Sequence, residues 1–219
     1  MKKILIYGAS GFAKEVAHLI EDINNNMSEW EIIGFVDDFI TDRNININGY
    51  PLTTVEQALK DNETLAIAIG VGSPKAKQII LDKLSTYENI YFPNLIHPKT
   101  RISSTNQIGK GIIICEGSIL TTNIILKDFV TLNLNCTIGH DTEIKEFTTI
   151  LPNASISGNI IINKGVDIGT NATIIEKLEI GENSIIGAGS VVVRDIPDNC
   201  TAVGIPAKPI KFHNRAIEG

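Results

Sequence analysis

"IGHDTEIKEFTTILPNASISGNIIIN", residues 138–163, carries an aliphatic side chain at every sixth position: Ile138, Ile144, Ile150, Ile156 and Ile162. The period extends far beyond this stretch. Stepping by six from Ile102 to Val192 visits sixteen positions, and each is Ile, Leu or Val. If about a quarter of residues were of these types, chance agreement would be on the order of one in billions. A period of six is neither the alternation of an ordinary strand nor the 3.6-residue spacing of a helix. It is a hexapeptide repeat, whose architecture is a parallel β-helix.

The remaining positions fit that geometry. Four residues after each aliphatic come mostly small or β-branched side chains, among them Ser118, Val130, Cys136, Thr142, Thr148, Ala154, Val166, Ala172, Ser184 and Ser190. Glycine and asparagine recur near the turns, where they tolerate a positive φ. One hexapeptide supplies one short strand and one turn. Three make a triangular coil, so each inward aliphatic stacks on its counterpart 18 positions later, at the strand spacing of about 4.8 Å. About five coils stack with no insertion.

Residues 1–93 obey another grammar. "KKILIYG" is an apolar strand ending in a glycine, and "AKEVAHLIEDIN" has helical spacing at Ala13, Val16, Ala17, Leu19, Ile20 and Ile23. "EIIGFVDD" and "TLAIAIG" are further strands, and "NIYFPN" closes the series. "PLTTVEQALKD" holds a short helix capped by Thr53 or Thr54, and "SPKAKQIILDKL" a helix opened by Ser73 and Pro74. Strands alternating with helices predict a small parallel α/β sheet, with ligands beyond the strand C-termini. The fold expected is thus α/β plus all-β: a Rossmann-like domain over 1–93, then a β-helix domain with a C-terminal tail over 94–219.

Composition narrows the function classes. A net charge of −6 argues against a nucleic-acid or anionic-membrane surface. No segment approaches 18 uninterrupted apolar residues, so no membrane span is expected. Gly8 and Ser10 interrupt the first apolar run too early for a signal peptide. Cys115, Cys136 and Cys200 lack CxxC spacing, which fits reduced thiols in the cytoplasm. Hexapeptide β-helices also house zinc enzymes that need three histidines, but residues 102–210 contain only His140, and no metal is expected.

The repeat ending in "IGAGSVVVRDIPDNCTAVGIPAKPI", with Gly204, Pro206, Ala207 and Lys208 in a G-x-P-A-K pattern, resembles the left-handed β-helix acyltransferases. "IYGASGFAKEV", "FVDDF" and "AIAIG" narrow the resemblance to sugar acetyltransferases of the bacillosamine N-acetyltransferase and sialic-acid O-acetyltransferase group. It covers essentially the whole chain. It implies an N-terminal nucleotide-sugar domain, acetyl-CoA as donor, and a homotrimer with sites at subunit interfaces.

The resemblance also assigns residues. His140, followed by an acid, matches the general base, and Asp141 its orienting partner. Gly158 lies 18 residues, one coil, beyond His140, where a backbone N–H polarises the thioester carbonyl. Gly158, Thr170 and Ala188 match the lining of the pantetheine arm, and Lys208 lies near the adenosine end. "GASGFA" is a relaxed dinucleotide fingerprint, with Ser10 and Ala13 at its second and third glycine positions. In this group that loop holds nucleotide-sugar phosphates, so Gly8, Ser10, Gly11, Phe12 and Gly70 are expected at the substrate, with Asp37 and Asp38 at the nucleoside. His18, His97 and His213 receive no role.

The chemistry suits these residue types. Imidazole titrates near neutrality and accepts the proton that an attacking amine must lose. Phe12 departs from the bacillosamine pattern, which has His there; sialic-acid O-acetyltransferase relatives often carry Phe. The neighbourhood of His140 and Asp141, with "EF" and "SG" following, resembles the N-acetyltransferases more closely, so the expected activity is N-acetylation of a nucleotide-activated amino sugar for surface-glycan synthesis, with O-acetylation of a sugar hydroxyl as the alternative. A non-enzymatic nucleotide-sugar sensor is a third reading, against which the pairing of His140 and Asp141 with Gly158 counts.

Overall fold

The computed structural model describes residues 1–40, 42 and 44–213. They form two compact units, one holding residues 1–72 and 76–98, the other residues 73–75 and those described from 99 onward.

The first unit is built on a sheet. Strand β1 (Lys2–Tyr7) leads into helix α1 (Gly11–Asn26), then β2 (Trp30–Val36), β3 (Asn46–Ile47), β4 (Tyr50–Thr53), helix α2 (Val55–Lys60), β5 (Leu65–Ile69), helix α3 (Pro74–Leu84) and β6 (Ile90–Tyr91). The strand order is β3-β4-β2-β1-β5-β6. β5 and the last four residues of β1 are buried throughout, which is why both read as unbroken apolar runs. Five of the six predicted positions, Ala13, Val16, Ala17, Leu19 and Ile20, form the buried face of α1, and Ile23 is half-buried. Thr54, the second of the two expected caps, accepts the Gln57 N–H at 3.1 Å.

The sheet departs from all-parallel at its edge. β3 pairs antiparallel with β4, across a turn in which Asn48 and Gly49 both have positive φ (51° and 87°). That is the two-residue Asn-Gly hairpin signal. Pro51 and Leu52 therefore belong to a strand, β4, that pairs in parallel with β2.

The chain reverses direction about β1, which has β2 on one side and β5 on the other. Tyr7 is in register with Val36 and with Ile69. Gly8, Asp37 and Gly70 are the next residues along these strands, so they emerge side by side at the switch point where such sheets bind ligands.

The second unit is the left-handed parallel β-helix. Two-residue strands at Ile113–Ile114, Thr131–Leu132, Thr149–Ile150 and Asp167–Ile168 stack 18 residues apart on one face. A second face stacks Ile119–Leu120, Thr137–Ile138, Ser155–Ile156 and Thr173–Ile174, and a third stacks Ile125–Leu126, Glu143–Ile144 and Ile161–Ile162. Positive φ recurs every six residues, at Asn123, Phe129, Asn135, Asp141, Phe147, Asn153 and Asn159. The small residues point inward, and their hydroxyls are satisfied by turn carbonyls 15 residues on: Ser118 Oγ donates to Asn133 O at 2.8 Å and Thr148 Oγ1 to Asn163 O at 2.9 Å.

The period holds to the last coil and then contracts. Ile180 bridges Ile196 and Ile185 pairs with Thr201, a step of 16 instead of 18. A hairpin of Cys200–Gly204 with Ala207–Phe212 follows. Ile150 is fully buried in the middle of the stack. Ile150→Ala should lower unfolding free energy by about 3 kcal/mol, read as a reduced midpoint in denaturant titration. A cost under about 1 kcal/mol would mean that the column does not carry the stability assigned to it.

Candidate active site

His140 occupies the turn after Ile138, whose side chain is sealed in the core. The entry to the turn is tight. A Cβ at Gly139 would lie 2.5 Å from the Ser157 carbonyl carbon, while the Gly139 N–H donates to Ile156 O at 2.8 Å. The next coil is thus drawn against the base of the turn, and His140 projects outward from it. Its side chain remains 53% exposed.

Asp141 follows in the left-handed region, φ 56°. Aspartate tolerates this conformation better than most residues. The change of backbone direction lets adjacent side chains face one another, which extended backbone would not permit. His140 Nδ1 lies 2.8 Å from Asp141 Oδ2. His140 and, behind it, Asn123, which donates to Asp141 Oδ1 at 3.0 Å, hold the Asp141 carboxyl below the usual carboxylate range. With Asp141 ionised, the neutral form of the imidazole carries its hydrogen on Nδ1 and its lone pair on Nε2.

Nε2 stands over Gly158. A Cβ built on Gly158 would lie 2.6 Å from it, so the ring occupies the space a side chain would take. The coils are stitched beside this point by the Asn159 N–H to His140 O at 2.8 Å. At the same turn position elsewhere the N–H is given to a side chain of the following coil: Lys110 N–H to Asp128 Oδ1 at 3.0 Å and Glu182 N–H to Asp198 Oδ1 at 2.8 Å. Among the described residues no acceptor takes the Gly158 N–H. An imidazole nitrogen and an unengaged backbone donor therefore lie in consecutive turns of one corner, groups of the kind that proton removal and carbonyl polarisation use.

The other expected residues lie elsewhere. Thr170 and Ala188 follow the strands Asp167–Ile168 and Ile185–Ile186 of the first face, whereas His140 and Gly158 follow strands of the second. They therefore sit on a neighbouring corner of the triangle, one above the other, with Gly189 N–H bonded to Thr170 O at 2.8 Å. Lys208 is exposed on the C-terminal hairpin, opposite Val203. Among the described residues, no group of three His, Cys, Asp or Glu could hold a metal ion.

In the first unit, Gly8 has φ 111°, and a Cβ there would lie 2.8 Å from Gly70 O. Gly70 is equally constrained, its Cβ position 2.9 Å from Ala13 Cα. Gly11 meets nothing within 4 Å, so packing does not demand a glycine there. Ser10 is the N-cap of α1, yet its side chain makes no capping bond, and Phe12 is half-buried in the first turn of that helix. Asp37 Oδ1 accepts the N–H groups of Phe39 and Ile40 at 2.8 and 3.2 Å, shaping the loop after β2.

Asp38 is engaged in a way the sequence did not signal. Its Oδ2 accepts the Tyr7 hydroxyl at 2.8 Å and its Oδ1 pairs with Lys83. Burial first and the Asp38 bond second push the Tyr7 hydroxyl up to about 12, and Asp38 raises Lys83. Tyr7, Lys83 and Asn123 are the residues that sequence reasoning missed. Only Asn123 had a signal, lying one coil before Asp141. His18 is exposed on α1, His97 is buried with Nε2 3.5 Å from Asp22, and His213 meets Thr201 Oγ1 at 3.0 Å.

This architecture has counterparts among known proteins. Residues 3–84 match the family described as the PglD N-terminal domain. The acetyltransferase domain of PglB from Neisseria gonorrhoeae, solved in complex with acetyl coenzyme A, is 31% identical, with a TM-score of 0.83 over 95% of this chain and 99% of that one. WeeI from Acinetobacter baumannii is 29% identical, with a TM-score of 0.87 over 96% of this chain and 100% of that one. The perosamine N-acetyltransferase of Caulobacter crescentus, crystallised with CoA and GDP-perosamine, shares the fold, with a TM-score of 0.86 at 24% identity over 96% of this chain and 98% of that one. No curated protein sequence matches this chain.

Proposed function

Since the chain belongs to the left-handed β-helix, hexapeptide-repeat sugar acetyltransferases, we propose that it moves the acetyl group of acetyl-CoA to the amino group of a nucleotide-activated amino sugar. The observation that carries the reading is the unbonded Nε2 of His140, with Asp141 on the far nitrogen at 2.8 Å and Gly158 beneath it. The amine attacks the thioester carbonyl carbon. His140 Nε2 takes the proton the amine loses, and Asp141 stabilises the imidazolium that results. The Gly158 N–H donates to the carbonyl oxygen as it gains charge; one such donor is worth roughly 3 kcal/mol. The C–S bond then breaks, and the proton held by His140 returns to the departing thiolate.

The likeness to a domain solved with acetyl coenzyme A supports the donor. The PglD-type N-terminal domain supports a nucleotide-sugar acceptor, with Gly8, Ser10, Gly11, Phe12, Asp37, Asp38 and Gly70 clustered at the strand ends and first helical turn. Thr170, Ala188 and Lys208 belong, in this reading, to the donor groove. Because Thr170 and Ala188 lie on a different corner from Gly158, a groove formed between copies in a homotrimer accommodates both sets, and the site is then shared across the interface. Three buried free thiols, Cys115, Cys136 and Cys200, fit a cytoplasmic enzyme of surface-glycan synthesis. No helix among the described residues is long and apolar enough to cross a membrane.

Thiol release from acetyl-CoA, measured against a panel of nucleotide-linked amino sugars, tests the proposal. Release should require an amino sugar, and the product should survive mild base, as an amide does and an ester does not. Silence with every amine, and a base-labile product from a hydroxylated sugar, would replace the N-acetyltransferase by an O-acetyltransferase.

A further inference from the structure

Asp141 is 47% exposed at the side chain, and a carboxylate in that setting has rotational freedom. It can hold an imidazole in one orientation only if something holds it. The structure supplies a chain of hydrogen-bonding side chains along the corner. Asn123, one coil earlier, donates through Nδ2 to Asp141 Oδ1 at 3.0 Å, the oxygen that His140 leaves free. The two bonds together fix the plane of the carboxylate.

The amide of Asn123 is itself oriented. With Nδ2 on the carboxylate, its Oδ1 faces Thr122 Oγ1 at 3.4 Å. Thr122 Oγ1 lies 2.8 Å from Thr105 Oγ1, which accepts the Asn123 backbone N–H at 3.0 Å and reaches Ser103 Oγ at 3.0 Å. Either threonine hydroxyl can donate to the other in the Thr105–Thr122 pair. The backbone cooperates, since Asn123 and Asp141 have nearly the same left-handed φ (56° each) and the Asp141 N–H bonds to Thr122 O at 3.1 Å. Two turns stacked in the same conformation bring these side chains to hydrogen-bonding distance.

We propose that Asn123 is a positioning residue for acetyl transfer: through its amide it fixes Asp141, and through Asp141 the tautomer and orientation of His140. The proposal rests on the reading of His140 as the base. It predicts that Asn123 affects the chemical step and not the binding of either substrate.

Two substitutions test it, with His140→Ala run in parallel. Asn123→Gly keeps the positive φ without strain and removes only the amide. Turnover should fall about five- to ten-fold, the size expected for losing one ordinary hydrogen bond at an exposed site, while both KM values stay within two-fold. Asn123→Asp puts a second carboxylate beside Asp141 and favours the imidazolium, so the acidic limb of the kcat/KM profile should move to higher pH. A role confined to packing would move neither the limb nor kcat alone. Unchanged turnover in Asn123→Gly alongside a dead His140→Ala would overturn the positioning role and leave the catalytic reading standing. A KM rise together with a loss of thermal stability would overturn it as well, in favour of a structural role. An active His140→Ala would remove the base and this inference with it.

Discussion

His140→Ala is expected to fold, to bind both substrates with KM values close to those of the parent, and to lose about a thousand-fold in turnover, within the range general-base catalysis supplies. The retention of fold follows from where the residue sits. Its side chain is more than half exposed and bonds only to Asp141, and the backbone contact that closes the turn, Asn159 N–H to His140 O, survives truncation. Surface changes of this kind shift stability by no more than about 0.5 kcal/mol. The loss of rate follows from the absence of a second base. Asp141 stays ionised into the acid range, held there by His140 and Asn123, but a strongly acidic carboxyl is a poor acceptor for an amine proton. Steady-state kinetics beside thermal denaturation decide the matter. A variant within three-fold of the parent rate would mean that the proton leaves by another route.

Much of this site was legible before any coordinate. The six-residue period fixes which residues face inward, and the 18-residue coil then fixes which turns are stacked. That arithmetic alone pairs His140 with Gly158. It pairs Asp141 with Asn123 just as directly, but an asparagine in a β-helix turn reads first as a residue suited to positive φ, so its side-chain role stays hidden. Whether Asp141 faces His140 depends on a backbone dihedral, and adjacency in sequence does not determine it. The Asn48-Gly49 hairpin carried its own signal and was obscured because Pro51 and the two threonines after it resemble the approach to a helix. The association of Tyr7, Asp38 and Lys83 had no local signature, because it joins the end of β1, the loop after β2 and the last turn of α3. The contraction of the final coil to 16 residues did leave a mark, since the residue 18 beyond Ile180 is Asp198 while the aliphatic residue that pairs with it is Ile196.

Gly158→Ala separates stability from chemistry more sharply than any change at the histidine. The φ of Gly158 is not in the left-handed region, and the same turn position carries Thr122, His140 and Glu176 in other coils. An alanine is therefore compatible with the backbone, and the loss of glycine's unfolded-state freedom favours the folded form by about 0.4–1 kcal/mol. What alanine cannot do is share space with the imidazole. Its methyl would stand 2.6 Å from Nε2, 2.7 Å from Cε1 and 2.9 Å from Cδ2. These are atoms of an exposed side chain, so the ring swings away and the fold is spared. In moving, Nε2 leaves the place where, in the proposed reaction, it takes the amine proton beside the carbonyl that the Gly158 N–H polarises, and the methyl fills part of the space for the reacting group. The expected result is an unchanged or slightly raised melting temperature with kcat/KM reduced at least about a hundred-fold, since both the base and the donor are misplaced. A protein of parental stability and parental rate would show that the acetyl group does not react between Nε2 and this turn. A protein that failed to fold would contradict the claim that the glycine answers to the histidine ring and not to the backbone.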